Sequence, residues 1–136
     1  MLQFSTAPFV DISGIITNNV TTAALLFRGS KSERIDLSNL VFTKNVNFNS
    51  AFLQTIATEI IMWQTPFTIG TTFQMYADSK AMVIDLSNAS LPSSPFVDNF
   101  ARNSPATIGY TRTQRDADIL NASSGKPATL TFVVKE

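Results

Sequence analysis

The sequence predicts a mainly β protein: an antiparallel sandwich or barrel-like domain over 1–136, with an internally repeated hairpin and one amphipathic helix at about 50–64. Three observations carry this. Thr, Ser and Asn supply 40 of the 136 residues, while charged residues make up only 15%, against about 25% in an ordinary domain. A ten-residue segment recurs within the chain. One stretch, and one only, follows helical periodicity. Uncharged polar chains often stay unfolded, but 44% hydrophobic residues and 11 Phe argue against disorder. A Thr-rich, aromatic-rich composition suits a pleated, half-buried surface. A chain of this length buries roughly two thirds of its unfolded surface as one domain, and without cysteine it has no disulfide.

Taken in order, the first element is a hairpin. Ser30-Lys31-Ser32-Glu33-Arg34-Ile35-Asp36-Leu37-Ser38-Asn39 recurs 49 residues later as Ser79-Lys80-Ala81-Met82-Val83-Ile84-Asp85-Leu86-Ser87-Asn88, with seven of ten positions identical. The same offset aligns Val20 with Ile69, Thr22 with Thr71, Leu26 with Met75 and Phe27 with Tyr76. Each copy reads as two strands around a tip. The first has strands 20–28 and 33–37 around 29–32; the second has strands 68–77 and 81–86 around 78–80. Gly, Ser and Asp at the tips tolerate turn dihedrals. Two copies fall short of a solenoid array, which needs three or more repeats. Pro8-Phe9-Val10-Asp11 and Pro95-Phe96-Val97-Asp98 form a smaller echo at a different offset.

Between the hairpins, a 100° wheel over 50–64 places Phe52, Leu53, Ile56, Ala57, Ile60, Ile61 and Trp63 on one half, interrupted by Gln64. Gln54, Thr55, Thr58 and Glu59, with Met62, take the other half. Asn49 or Ser50 caps the start and Pro66 stops the end. On this reading Ile56→Asp is costly and Thr55→Asp nearly neutral. Beyond it, 89–105 reads as a Pro-rich loop with one helical turn near 96–102 and 107–113 as a strand. A charged stretch at 112–118 reads as a solvated loop, 123–127 as a turn and 128–135 as the closing strand.

The chemistry-bearing residues leave little for catalysis. Without His or Cys, imidazole and thiolate sites are excluded, among them the Ser-His-Asp triad. Asp116-Ala117-Asp118 is the one paired-carboxylate candidate for a hard cation, and calcium wants six or more oxygens. The competing reading pairs these carboxylates with Arg112 or Arg115. The repeated Asp36 and Asp85 read as polar-face residues ahead of a Ser-Asn turn, with two equivalent Asp sites as the sharper alternative. Ser30-Lys31 and Ser79-Lys80 sit at tips where water keeps the ammonium charged, so a Ser-Lys dyad fails. Ser124-Gly125-Lys126 lacks the glycine five positions before Gly125 that a phosphate loop requires. The expectation is therefore no enzyme, with no catalytic, cofactor-binding or metal residues and no cofactor.

Ten basic and ten acidic residues cancel, so a sequence-specific nucleic-acid role is not expected. The N-terminus reads as leaderless, with no membrane segment, and the three Asn-X-Ser/Thr triplets at Asn19, Asn88 and Asn121 as coincidences. A near-neutral, charge-poor surface opposes self-association only weakly. In composition and element order the chain resembles the small virion structural proteins of tailed bacteriophages. That resemblance implies a non-enzymatic subunit of tail-tube, tail-terminator or capsid-decoration type. Such a subunit is made in the host cytoplasm, resides in the virion, and contacts its own copies and other virion proteins as a homo-oligomer. The alternative is a small ligand-binding β-domain, an adhesin-like module or binding barrel, with 89–105 and 110–124 as its mouth.

Overall fold

A computed structural model describes residues 2–12 and 14–136. The strands are β1 (Phe9–Val10), β2 (Arg34–Asp36), β3 (Val46–Asn47), β4 (Glu59–Ile61), β5 (Phe67–Thr71), β6 (Val83–Leu86), β7 (Ala89–Ser90), β8 (Ile108–Thr111) and β9 (Thr131–Val134); one helix, α1, spans Gln114–Asn121. Every strand pairing is parallel. Phe9 pairs with Arg34 and Arg34 with Glu59, and Val83 pairs with Ile108 and Ile108 with Thr131. The chain therefore winds as a β-solenoid of about five coils. This corrects the antiparallel sandwich or barrel.

The repeated segment is real, but its topology is not a hairpin. Thr22 bridges Asn47 and Asn47 pairs with Thr71, so Thr22 and Thr71 are equivalent positions two coils apart. The 49-residue offset spans two coils, and the coil between them has diverged. At its corner Glu59-Ile60-Ile61-Met62-Trp63 stands where its neighbours carry Arg34-Ile35-Asp36-Leu37-Ser38 and Val83-Ile84-Asp85-Leu86-Ser87. In both copies of the motif the Asp bends the chain out of the strand. Ser38 N donates to Asp36 Oδ1 at 3.0 Å, and Ser87 N donates to Asp85 Oδ1 at 2.9 Å.

One side of each coil is built from turns rather than strand. Its amides donate to the next coil: Leu25 N to Asn49 O, Phe27 N to Ala51 O, Phe52 N to Met75 O, Tyr76 N to Phe100 O. Two residues per coil take a left-handed conformation to keep these amides aligned. Leu25, Ser50, Gln74 and Asn99 form one column, and Phe4, Gly29, Gln54, Asp78 and Asn103 the other, with φ between 52° and 63°. Gly29 and Asp78, which the sequence reading sets at hairpin tips, belong to the second column. Positive φ costs a non-glycine residue roughly 1–2 kcal/mol. Gln54 is exposed at φ 59°, so Gln54→Gly is expected to stabilise by about 1 kcal/mol, while a β-branched Gln54→Val destabilises. Urea midpoints of the two variants check this.

These bends also explain why no helix forms at 50–64. Ser50 and Gln54 are both left-handed, and 59–61 is strand β4. Bonds from Ala51 N to Phe48 O, Leu53 N to Ser50 O and Thr55 N to Phe52 O give a string of tight turns whose spacing imitates a helix. The wheel's faces are reversed at the decisive positions: Thr55 is 0% exposed and Ile56 is 39% exposed. Trp63 is buried, though in an aromatic cluster with Phe42, Phe48 and Phe67.

The interior is columnar. Phe27 stacks on Phe52 at a centroid distance of 5.9 Å, and Tyr76 and Phe100 continue the column as tilted rings at 5.0 and 5.6 Å. Ser30, Thr55, Ser79 and Ser104 form a buried hydroxyl column. In it Ser30, Thr55 and Ser104 accept from the amide two residues on, closing their own turns. Ile35, Ile60 and Ile84 make a third column that ends at Gly109. There the Phe132 ring fills the space where a Cβ would stand.

The true helix lies in the stretch read as a solvated loop. Thr113 caps it, its Oγ1 accepting from Asp116 N at 3.2 Å, and Ala117 and Leu120 bury against the last coil. The strands expected at 107–113 and 128–135 are present as β8 and β9, but parallel to each other.

Candidate functional site

The residues singled out for chemistry are locked or dispersed. Asp116 is 2% exposed; its carboxylate takes Arg115 Nη1 at 2.8 Å and Leu91 N at 3.3 Å. Arg115 also donates to the carbonyls of Leu91, Pro92 and Ser93, which clamps α1 onto the preceding coil. Asp118 is exposed and accepts from Gln114 instead. Two residues apart on a helix, the carboxylates diverge, and no cluster of three metal-ligating groups exists among the described residues. Ser30 and Ser79 are buried while Lys31 and Lys80 are exposed, so neither pair forms a dyad.

Asp85 and Asp36 occupy equivalent corners with different partners. Burial raises the Asp85 carboxyl, but hydrogen bonds from Lys135 (Nζ to Oδ2, 2.6 Å) and Ser87 outweigh it and hold it below the usual carboxylate value of 3.8. Hydrogen bonding from Ser38 does the same for Asp36, and from Arg102 and Asn103 for Asp78. A carboxylate lowered on folding stabilises fully above its unfolded pKa and loses that contribution as pH falls through the folded value. The contribution of these three carboxylates is therefore full above about pH 5 and is lost as pH falls below 3.8. Asp85→Asn should remove part of that acid loss in urea midpoints measured from pH 7 to 3.

Two surface features remain. The strands form three ladders, β1-β2-β4, β3-β5-β7 and β6-β8-β9. Between β4 and β6 lies a cleft of about 540 Å³ lined by Glu59, Ile61, Trp63, Met82, Asp85 and Lys135 among others. It is bridged at its ends by Met82 N to Thr58 O and Asn88 Nδ2 to Trp63 O.

The second feature is the N-terminal end. Residues 2–8 form only the last part of a preceding coil: Phe4 N donates to Arg28 O, Lys31 N to Ser5 O and Glu33 N to Pro8 O. Leu2, Val10, Ile12, Ile15, Val20 and Leu26 line a largely apolar groove of about 390 Å³. In the same segment Phe4, Phe9, Ile15 and Ile16 are 54–84% exposed. Residues 1–27 hold one charged side chain, Asp11, out of the twenty in the chain.

The opposite end is sealed. Helix α1 covers it, and the Asn121 side chain bonds both main-chain groups of Phe132 on the outer strand β9, each at 2.9 Å. Sequence reasoning missed both ends. The signal for the cap was Thr113-Gln-Arg-Asp116, the Thr-x-x-Asp spacing of a helix start. The signal for the groove was the stretch 1–27, which is free of charge apart from Asp11. No helix of the described residues is long and apolar enough to cross a membrane. No protein-family model matches this chain, and no curated protein or solved structure matches it.

Proposed function

We propose that the chain is a non-enzymatic assembly subunit acting through protein–protein contacts, in its narrower form a virion structural protein of the tail or capsid type. The observation that carries the general reading is the largely apolar groove lined by Leu2, Val10, Ile12, Ile15, Val20 and Leu26, with Phe9 and Ile16 exposed in the same segment. Contiguous exposed apolar surface of this kind marks protein contacts. The narrower virion form rests on the Ser/Thr/Asn-rich, charge-poor composition. Light scattering across a hundredfold concentration range, with negative-stain images, is expected to show a discrete oligomer; a monomer throughout contradicts the proposal.

A ligand-binding module is the second reading, and the cleft between β4 and β6 favours it. Its walls carry both charge signs together with apolar surface. The segments 89–105 and 110–124, expected as a binding mouth, instead stack as successive coils, tied by Arg115 to Pro92 and by Ser124 to Asp98. Any ligand would therefore be sought on the strand side.

A further inference from the structure

We infer that the cleft between β4 and β6 binds a short, uncharged oligosaccharide, held by hydroxyl groups that reach between the two strand edges. This rests on the ligand-binding reading and names the ligand class.

The cleft lies where one coil departs from the repeat. At the corner where the coils on either side carry Asp36 with Ser38 and Asp85 with Ser87, this coil carries Ile61 and Trp63. It therefore lacks the carboxylate that bends the other two corners. Here the sheet also splits: β4 and β6 are outer strands of separate ladders, and each presents main-chain N–H and C=O groups to the gap. Departures from a fold's own local rule concentrate at functional sites.

The geometry excludes an added strand. Met82 N to Thr58 O at 3.0 Å and Asn88 Nδ2 to Trp63 O at 3.4 Å tie the two ends of the cleft. A polypeptide strand in the gap would need β4 and β6 about 9.6 Å apart, twice the interstrand spacing. Single groups can still reach in. Facing both N–H and C=O groups, they must donate as well as accept, and a hydroxyl does both.

Charge narrows the class further. Glu59 is paired with Arg34 at 2.9 Å and Asp85 with Lys135 at 2.6 Å, so an ionic ligand finds its partners already compensated. The exposed Gln64 at the rim offers an amide donor and acceptor. Met82 and Val83, 54% and 43% exposed, supply apolar surface for the C–H face of a sugar ring. The volume of about 540 Å³ falls within the roughly 300–1,000 Å³ of small-molecule sites.

The test is a titration followed in heteronuclear amide spectra, reading the side-chain amides of Gln64 and Asn88. The neutral probes are maltotriose, cellotriose and triacetylchitotriose; trigalacturonate is the charged sugar and a capped Thr-Val-Thr tripeptide the peptide. At least one neutral trisaccharide is expected to shift both amides saturably. Binding is expected to weaken roughly tenfold in Gln64→Ala, read at Asn88, and in Val83→Glu, the loss that follows from one hydrogen bond or one apolar contact. Both side chains are exposed, so circular dichroism is expected to stay unchanged. Shifts undiminished in both variants, or produced only by the charged sugar or the peptide, overturn the oligosaccharide site and leave the ligand-binding reading standing. No shift with any probe overturns both.

Discussion

Phe52→Ala is expected to lower stability by about 3–5 kcal/mol, the range for emptying a fully buried aromatic site. Phe52 is 1% exposed and is the middle rung of the column, 5.9 Å from the Phe27 ring and 5.0 Å from that of Tyr76. Its neighbours cannot collapse into the space, because each coil is held at the strand spacing of about 4.8 Å by the amide ladder on either side of residue 52. The lost stacking also uncouples the coils before it from those after it, since a solenoid's stability is a sum of nearest-neighbour contacts. Phe96→Ala removes a ring that is 55% exposed and serves as the control, expected within about 1 kcal/mol. Urea unfolding followed by Trp63 fluorescence reads both. Equal midpoint shifts would contradict the columnar core.

Thr55→Asp is expected to cost about as much, roughly 3–5 kcal/mol, as an uncompensated buried charge. Thr55 is fully buried; its hydroxyl accepts from Ala57 N and donates to Ser30 O at 3.4 Å. A carboxylate there keeps the first bond and loses the second, because it has no proton to donate to a carbonyl. Its other oxygen faces the buried hydroxyl column of Ser30 and Ser79. Ile56→Asp, one residue on, points to solvent and is expected within about 1 kcal/mol. The helical wheel gives the opposite order, so this pair discriminates between a helix and a turn-built coil side at a single step along the chain.

What could be read from the sequence was equivalence and β character rather than topology. Aligning Phe27 with Tyr76 and Thr22 with Thr71 identifies true structural partners, because inward positions of any repeat must keep their size and polarity. Pairing direction leaves no comparable trace. A turn with a left-handed residue at Gly29 or Asp78 looks the same whether it reverses a hairpin or bends a coil. The intermediate coil hid the 24–25-residue period, since Ile61 and Trp63 replace the Asp and Ser that mark the other corners. Helical periodicity at 50–64 was likewise imitated by successive tight turns. The apolar groove was hidden for another reason: which apolar residues share one surface is decided only once the stacking order is known.

The central claim is that successive coils run parallel, with paired residues 22–25 positions apart, because the ladders, the cap and the columns all depend on it. The most direct measurement is an intramolecular disulfide between Arg34→Cys and Glu59→Cys in this cysteine-free chain. Those residues are paired on neighbouring parallel strands, at a spacing of about 4.8 Å that lies within the range a disulfide spans. The expected result is rapid oxidation to a monomeric crosslinked chain with retained circular dichroism, and none for Arg34→Cys with Ile61→Cys, two residues out of register. Failure of the first pair to close, or equal closure of both, would contradict the solenoid.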